Sequence, residues 1–306
     1  MAQGYDAPGD ERVLSLAHAV SASPAFRLGG FFDIQPARAE AAERKWSCPR
    51  SPRERTVWLN QPWDVVCIAT PDSQHAADLR DALARKPRGI LVEKPVAADL
   101  AEGLELLQEA QRLGVAVVVD FPRRCHTGVA AVAEHVAAGR LGRPVAVVFA
   151  YSGHPVSSAI HMLDLFHTWW GGDWEPAFGW RRGPHTALTL SQAGYPVTAS
   201  FVNLPAEPYY VWELHVYCER GKVQLSASPE VLEVSRPALH PSYRTHQVLT
   251  PLARFPMEEE ALLPRILETL REMIADPEVA RPAIQREIDS QIFSSRVLRC
   301  LLRGGA

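Results

Sequence analysis

Three stretches of the chain hold side chains whose types and order could do chemistry. Asp33 closes the apolar run Phe26–Phe32, and a carboxylate at the carboxyl end of a parallel strand can accept both hydroxyls of an adenosine ribose. That placement would favour NAD over NADP. An Asp after a strand is also an ordinary turn former, so alone it decides nothing. The tract Ile68-Ala-Thr-Pro-Asp-Ser-Gln-His75 is followed at helical distance by Ile90-Leu-Val-Glu-Lys-Pro95. Taken alone, Glu93-Lys94 reads as a solvated pair before a proline. Further on, His154, His161, Asp164 and His167 crowd into one segment, and an imidazole with an ordinary pKa of about 6.5 suits removal or return of a hydroxyl proton.

Elements that would position these groups follow from the hydrophobic pattern. Up to about Asp120, short β-rich runs alternate with helical stretches, the rhythm of βαβ units and a parallel sheet. Strands are expected at Phe26–Phe32, Trp63–Ala69, Gly89–Val92 and Val115–Val119, with helices from Pro36 to Lys45, from Gln74 to Arg85 and after Asp99. Beyond Phe121, a helix from Gly128 to Ala138 precedes a series of strands without intervening helices, which predicts an antiparallel sheet. Ser235–Pro241 and Cys48–Arg53, rich in proline, read as loops. Met257–Ile274 and Ala283–Leu302 read as closing helices. The expected domains are residues 1–120 and 121–306, with the last helix packing back on the first domain.

Composition narrows the partners. With 306 residues, 47% of them hydrophobic, the chain can bury a core. Its 32 Lys and Arg against 35 Asp and Glu leave a net charge of −3, so no positive field draws it to nucleic acid or an acidic membrane. Cys48, Cys67, Cys125, Cys218 and Cys300 form no C-x-x-C pair, which signals neither a disulfide framework nor a zinc site. No metal is expected. With no membrane-length apolar run and no signal-peptide pattern at the start, a soluble cytoplasmic protein is expected.

Read together, Thr70-Pro71 with His75, Glu93-Lys94-Pro95, Asp120-Phe-Pro-Arg-Arg124, Gly139-Arg-Leu-Gly142 and His161-Met-Leu-Asp164 resemble the glucose–fructose oxidoreductase / inositol dehydrogenase / MocA (Gfo/Idh/MocA) family of nicotinamide-dependent oxidoreductases, from about Phe26 to Leu301. The resemblance implies a Rossmann-like doubly wound parallel sheet followed by an open, mostly antiparallel sheet domain, with the active site in the cleft between them. It also implies that Asp33, Thr70, Pro71, His75, Glu93, Lys94 and Pro95 hold NAD, or NADP. Lys94 would hydrogen-bond the oxygen on which charge builds during hydride transfer, and His161 would exchange its proton. Arg123, Arg124, His154 and Asp164 become candidates for contacting a polyhydroxy substrate. An Arg123-Arg124 ion pair that is purely structural is the other reading. A homo-oligomer through the second-domain sheet is also implied, with Tyr209, Tyr210 and Trp212 on its surface.

Two features depart from the family. Ser157 stands four residues before His161, where the family usually has the Asp that orients the imidazole. The amino terminus has only Met1-Ala-Gln3 before Gly4, with no strand and no G-x-G-x-x-G spacing to hold a pyrophosphate. Either the true start lies upstream, or the domain is remodelled and holds the dinucleotide poorly. Gly4-Tyr5-Asp6 reads as the tail of such a turn. The function expected is hydride transfer between nicotinamide and a sugar, inositol or related compound. The alternative is a catalytically reduced member that binds a ligand or serves as a partner subunit.

Overall fold

Residues 6–204, 209–226, 230–243, 245–257 and 261–303 are described by the computed structural model. In chain order they form α1 (Leu16–Ala22), α2 (Pro36–Lys45), α3 (Arg55–Leu59), β1 (Val65–Ile68), α4 (His75–Arg85), β2 (Gly89–Val92), α5 (Leu100–Leu113) and β3 (Ala116–Val119). A 3-10 turn (Pro122–Cys125) leads to α6 (Thr127–Ala137), β4 (Pro144–Ser152), α7 (Pro155–Trp170), β5 (Glu175–Arg182), β6 (His185–Gln192) and β7 (Tyr195–Leu204). There follow β8 (Trp212–Cys218), β9 (Gly221–Ser226), β10 (Val231–Leu239), β11 (Gln247–Pro256), α8 (Leu262–Ala275) and α9 (Pro277–Arg303). Two compact units emerge, Met1–Pro122 with Ala261–Ile288, and Arg123–Glu260 with Asp289–Ala306.

In the first unit β1, β2 and β3 pair side by side and in parallel. Every residue of β2 and β3 is buried, the uninterrupted apolar run that a sheet covered on both faces requires. Asp99 caps α5 by accepting from the Ala101 and Glu102 amides, and Gly114, at φ +69°, ends it, as expected of an N-cap acid and a left-handed terminal glycine. Gly89 lets α8 lie close to the sheet: a Cβ there would stand 2.7 Å from Ile274 Cδ1.

Phe26–Phe32 does not form the expected strand. A strand exists only by pairing, and among the described residues no strand precedes Val65 to pair with it. Its backbone is held instead by one side chain. The Ser51 hydroxyl donates to the Phe31 carbonyl at 2.6 Å and accepts from the Phe31 amide at 3.2 Å. Glu43 in turn accepts from the Ser51 amide and hydroxyl, at 2.8 and 2.7 Å, and from Arg53. Gly4 and Tyr5, read as the tail of a glycine turn, lie outside the described residues.

The second unit is built on an eight-stranded sheet in the order β11-β10-β9-β8-β4-β7-β6-β5, antiparallel except for the β4–β7 pair. α7 packs on it through Phe166, which meets Phe149 of β4 edge-on at 6.4 Å. The expected loop Ser235–Pro241 is instead largely strand β10, which pairs with β11 through Pro237↔Leu249 and on to Leu239↔Gln247. Proline is tolerated there because β9 pairs only as far as Ser235, so Pro237 has a single neighbour and its missing N–H breaks no second ladder.

Candidate functional site

At the carboxyl edge of the first unit's sheet, the hydrogen-bond ladder runs one residue past each strand. The Glu93 amide donates to the Ile68 carbonyl at 2.9 Å and the Asp120 amide to the Val92 carbonyl at 2.8 Å. This fixes the start of Glu93-Lys94-Pro95 and the position of Asp120 at the end of the parallel sheet. His75, 1% exposed at the start of α4, places Nδ1 2.6 Å from the Pro95 carbonyl and Nε2 2.7 Å from the Thr70 carbonyl. It therefore staples the Thr70-Pro71 turn to the Glu-Lys-Pro turn. The Thr70 hydroxyl donates to Asp78 of α4 at 2.7 Å, and Pro95 is buried whereas Pro71 is exposed. The structure thus gathers Thr70, Pro71, His75, Glu93, Lys94 and Pro95 around two adjoining turns. Asp33 sits before α2, its Oδ1 accepting from the Gln35 amide at 2.8 Å, the local bond of a turn former.

Asp120 belongs to this cluster, and sequence reasoning passed over it. Its side chain is 5% exposed and hydrogen-bonds Glu93, with Lys94 near enough to act on its charge. Burial, reinforced by the Glu93 charge, pushes the Asp120 carboxyl up to about 7. Its Oδ1 is buried without a hydrogen-bond partner. The signal available in the sequence was an acid at the end of a strand, the same signal that singled out Asp33.

In the second unit, α7 begins at His154, whose Nδ1 accepts from the Val156 amide at 3.3 Å as the N-cap. The Ser157 hydroxyl donates back to the His154 carbonyl at 3.1 Å. His161 is half-buried and meets Trp212 edge-on, with ring centroids 6.2 Å apart. Trp212 is not the exposed aromatic that its neighbours suggested: it is 4% exposed, while Tyr209 and Tyr210 are 65% and 59% exposed. Buried, its indole N–H donates to the Ser158 carbonyl at 3.1 Å, and the Arg123 guanidinium lies 4.2 Å over its ring. Arg123 also donates to Glu230 at 2.6 Å.

Arg124 donates through Nε to both Asp164 oxygens, at 2.8 and 2.7 Å. Ser290 donates to the same carboxylate at 2.8 Å. Asp164, 1% exposed, is thereby occupied inside the unit. His167 stacks on Phe293 at 5.5 Å, and burial pushes its imidazole below the ordinary range against the pull of Asp164. His154 caps a helix and His167 packs in an apolar stack, whereas His161 lies half-buried against the edge of the buried Trp212 ring.

Residues 11–121 match the Gfo/Idh/MocA model, an oxidoreductase family with an NAD-binding Rossmann fold. This region resembles that family's Rossmann domain. Over 129 residues the chain is 32% identical to an inositol 2-dehydrogenase of Rhizobium meliloti (strain 1021), a match that takes in 41% of this chain and 38% of that enzyme's length. Two solved structures share the fold. An NAD-binding oxidoreductase from Klebsiella pneumoniae superposes with a TM-score of 0.74 at 16% identity, covering 94% of each chain. An inositol dehydrogenase homologue from Azotobacter vinelandii, complexed with NAD+, does so with a TM-score of 0.73 at 15% identity, covering 95% of this chain and 92% of its own. The edge holding Thr70, His75, Lys94 and Asp120 lies within the matched residues 11–121. Among the described residues no helix is long and apolar enough to cross a membrane, and no cluster of His, Cys, Asp or Glu could hold a metal.

Proposed function

We propose that the chain is an NAD-dependent oxidoreductase acting on a CH–OH group of a sugar, inositol or related polyhydroxy compound, with NADP as the other nicotinamide cofactor open to it. The observation that carries this reading is the Lys94 turn, stapled by His75 to the Thr70-Pro71 turn and backed by the buried Asp120. A ligand-facing edge fits the presence there of a buried carboxyl oxygen with no protein partner. Thr70, Pro71, His75, Glu93, Lys94 and Pro95 would hold the nicotinamide half and Asp33 the adenosine ribose. A bound nicotinamide would supply the hydride acceptor for the alcohol carbon, or the hydride donor for the carbonyl. Lys94 hydrogen-bonds the substrate oxygen as its charge changes, and His161 takes the hydroxyl proton as the C–H bond breaks, or gives it back in reduction. Arg123, Arg124, His154 and Asp164 would frame the substrate, Arg124 and Asp164 by holding α7 and its approach in place. Assembly through the second unit's sheet and a cytoplasmic setting complete the reading.

Incubation of the full chain with NAD and a panel of polyols and sugars, followed by absorbance of the reduced nicotinamide, tests it. Lys94→Ala should lower turnover at least about a hundredfold; unchanged turnover would overturn the mechanism. A second reading, a ligand-binding or partner subunit with weak dinucleotide binding, draws on Ser157, which supplies no charge to His161. Calorimetric titration with NAD separates the two, because tight binding excludes it.

A further inference from the structure

Glu230 takes no part in the proposed hydride transfer, yet it governs what the neighbouring arginine can still bind. It stands at the turn before β10, where its carbonyl accepts from the Met257 amide at 2.8 Å. Its carboxylate receives one side of the Arg123 guanidinium, Nε donating to Oε1 at 2.6 Å and Nη2 to Oε2 at 3.2 Å. Stacking 4.2 Å over the buried Trp212 ring holds the guanidinium plane. Arg123 makes no other side-chain hydrogen bond among the described residues. Both side chains keep an edge in solvent, 27% exposed for Arg123 and 21% for Glu230. What stays open is the end of the guanidinium, the fork of Nη1 with the second hydrogen of Nη2, which can donate to two oxygens at once. His161 lies edge-on against the same indole, so the guanidinium and the imidazole share one support in the second unit.

Such a fork fits two kinds of oxygen pair, a carboxylate or two neighbouring hydroxyls, and charge discriminates between them. Glu230 already neutralises Arg123, and the buried Asp164 does the same for Arg124. An anion on the fork would set two carboxylates on one guanidinium, leaving a net negative group partly withdrawn from water. Two hydroxyl oxygens accept the same hydrogen bonds without that cost.

We infer that Glu230 is a specificity-determining residue: by neutralising Arg123 it makes the open fork a reader of two adjacent hydroxyls, so that the substrate is an uncharged sugar or cyclic polyol and not its carboxylate counterpart. The inference rests on the oxidoreductase reading for the reaction, while the choice of ligand can be measured without turnover.

The test is calorimetric titration of the full chain, with NAD present, by glucose and glucuronate and by galactose and galacturonate, pairs that keep the ring and change the charge. The natural chain should bind at least one of the two sugars, and at least about tenfold more tightly than its acid. Glu230→Gln, similar in shape and uncharged, should lower that ratio at least about tenfold by favouring the acid. A purely structural role would weaken sugar and acid alike and leave the ratio where it was. Should Glu230→Gln fail to fold, Arg123→Lys decides with the natural chain: it keeps the charge and loses the fork, and sugar binding should weaken at least about tenfold. An acid bound as tightly as its sugar by the natural chain, binding of neither sugar, an unchanged ratio in Glu230→Gln or unchanged sugar binding in Arg123→Lys would each overturn the inference. Any of these leaves the oxidoreductase reading standing for another substrate, and that reading fails separately if Lys94→Ala keeps its turnover.

Discussion

Arg124 grips Asp164 through two nitrogens, Nε reaching both carboxylate oxygens at 2.8 and 2.7 Å and Nη2 donating to Oδ1, inside the second unit. The pair ties the 3-10 turn at Pro122–Cys125 to the middle of α7, and Ser290 of α9 completes the carboxylate's partners at 2.8 Å. Removing one member of a buried ion pair leaves the other charged and desolvated. Asp164→Ala should therefore destabilise the protein by about 3 kcal/mol, read as a lower urea midpoint. A loss well under about 1 kcal/mol would mean that Arg124 finds water instead and that the pair is not structural.

His75 offers a second, independent measure. Both ring nitrogens are engaged with carbonyl oxygens, of Thr70 and Pro95, in a residue 1% exposed. His75→Ala removes the ring's polar contacts with both carbonyls and opens a cavity at the start of α4, and should cost about 3 kcal/mol by denaturant unfolding. Because the staple also orients the Lys94 turn, kcat should fall more than KM rises. An effect on stability with intact kcat would detach the staple from the chemistry.

How much of this was legible beforehand depends on the kind of signal. β2 and β3 are continuous apolar runs between glycine, proline and acidic breaks, and α5 has both its Asp99 cap and its Gly114 stop, so local pattern alone locates them. Thr70-Pro71 and Glu93-Lys94-Pro95 were legible as a set through their resemblance to the Gfo/Idh/MocA motifs. Phe26–Phe32 is apolar enough to read as a strand and yet forms none, since Gly29 and Gly30 weaken it and pairing is a property of the neighbour as well as of the segment. β10 was hidden by Pro237, which is admissible only because of where β9 stops. The burial of Trp212 and the meeting of Asp120 with Glu93 are long-range facts, invisible to spacing: alternation along β8 could not say which neighbours cover the indole, nor could Asp120's strand-end position say that a second acid waits on the adjoining strand.

Acid should loosen the segment that stands where a strand was expected. Hydrogen bonding from Arg53, outweighing the effect of burial, holds the Glu43 carboxyl down at about 2 from an ordinary 4.5, and the Ser51 amide and hydroxyl add to it. A carboxyl depressed in the folded state contributes stability that is complete above its unfolded pKa and is lost as pH falls towards the folded value. The window here runs from about 4.5 down to about 2. Between about pH 6 and pH 3 the natural chain's urea midpoint should fall more steeply than that of Glu43→Gln, which is less stable at neutral pH and lacks this contribution to the slope. Equal slopes would show that Glu43 is not depressed.

Ser157 is the residue at which the proposed chemistry can be improved as well as broken. It lies one helical turn before His161 on α7, and its hydroxyl is spent on the His154 carbonyl at 3.1 Å. Residues four apart on a helix face each other, so Ser157→Asp would set a carboxylate against the imidazole and stabilise its protonated form as the substrate's proton arrives. If His161 is the base, kcat for polyol oxidation should rise about tenfold, corresponding to about 1.4 kcal/mol of barrier. The same substitution in a His161→Ala background should give no gain, because the carboxylate then has nothing to assist. A tenfold rise that survives His161→Ala would assign the proton to another group, and no rise in either background would remove the i−4 position from the mechanism.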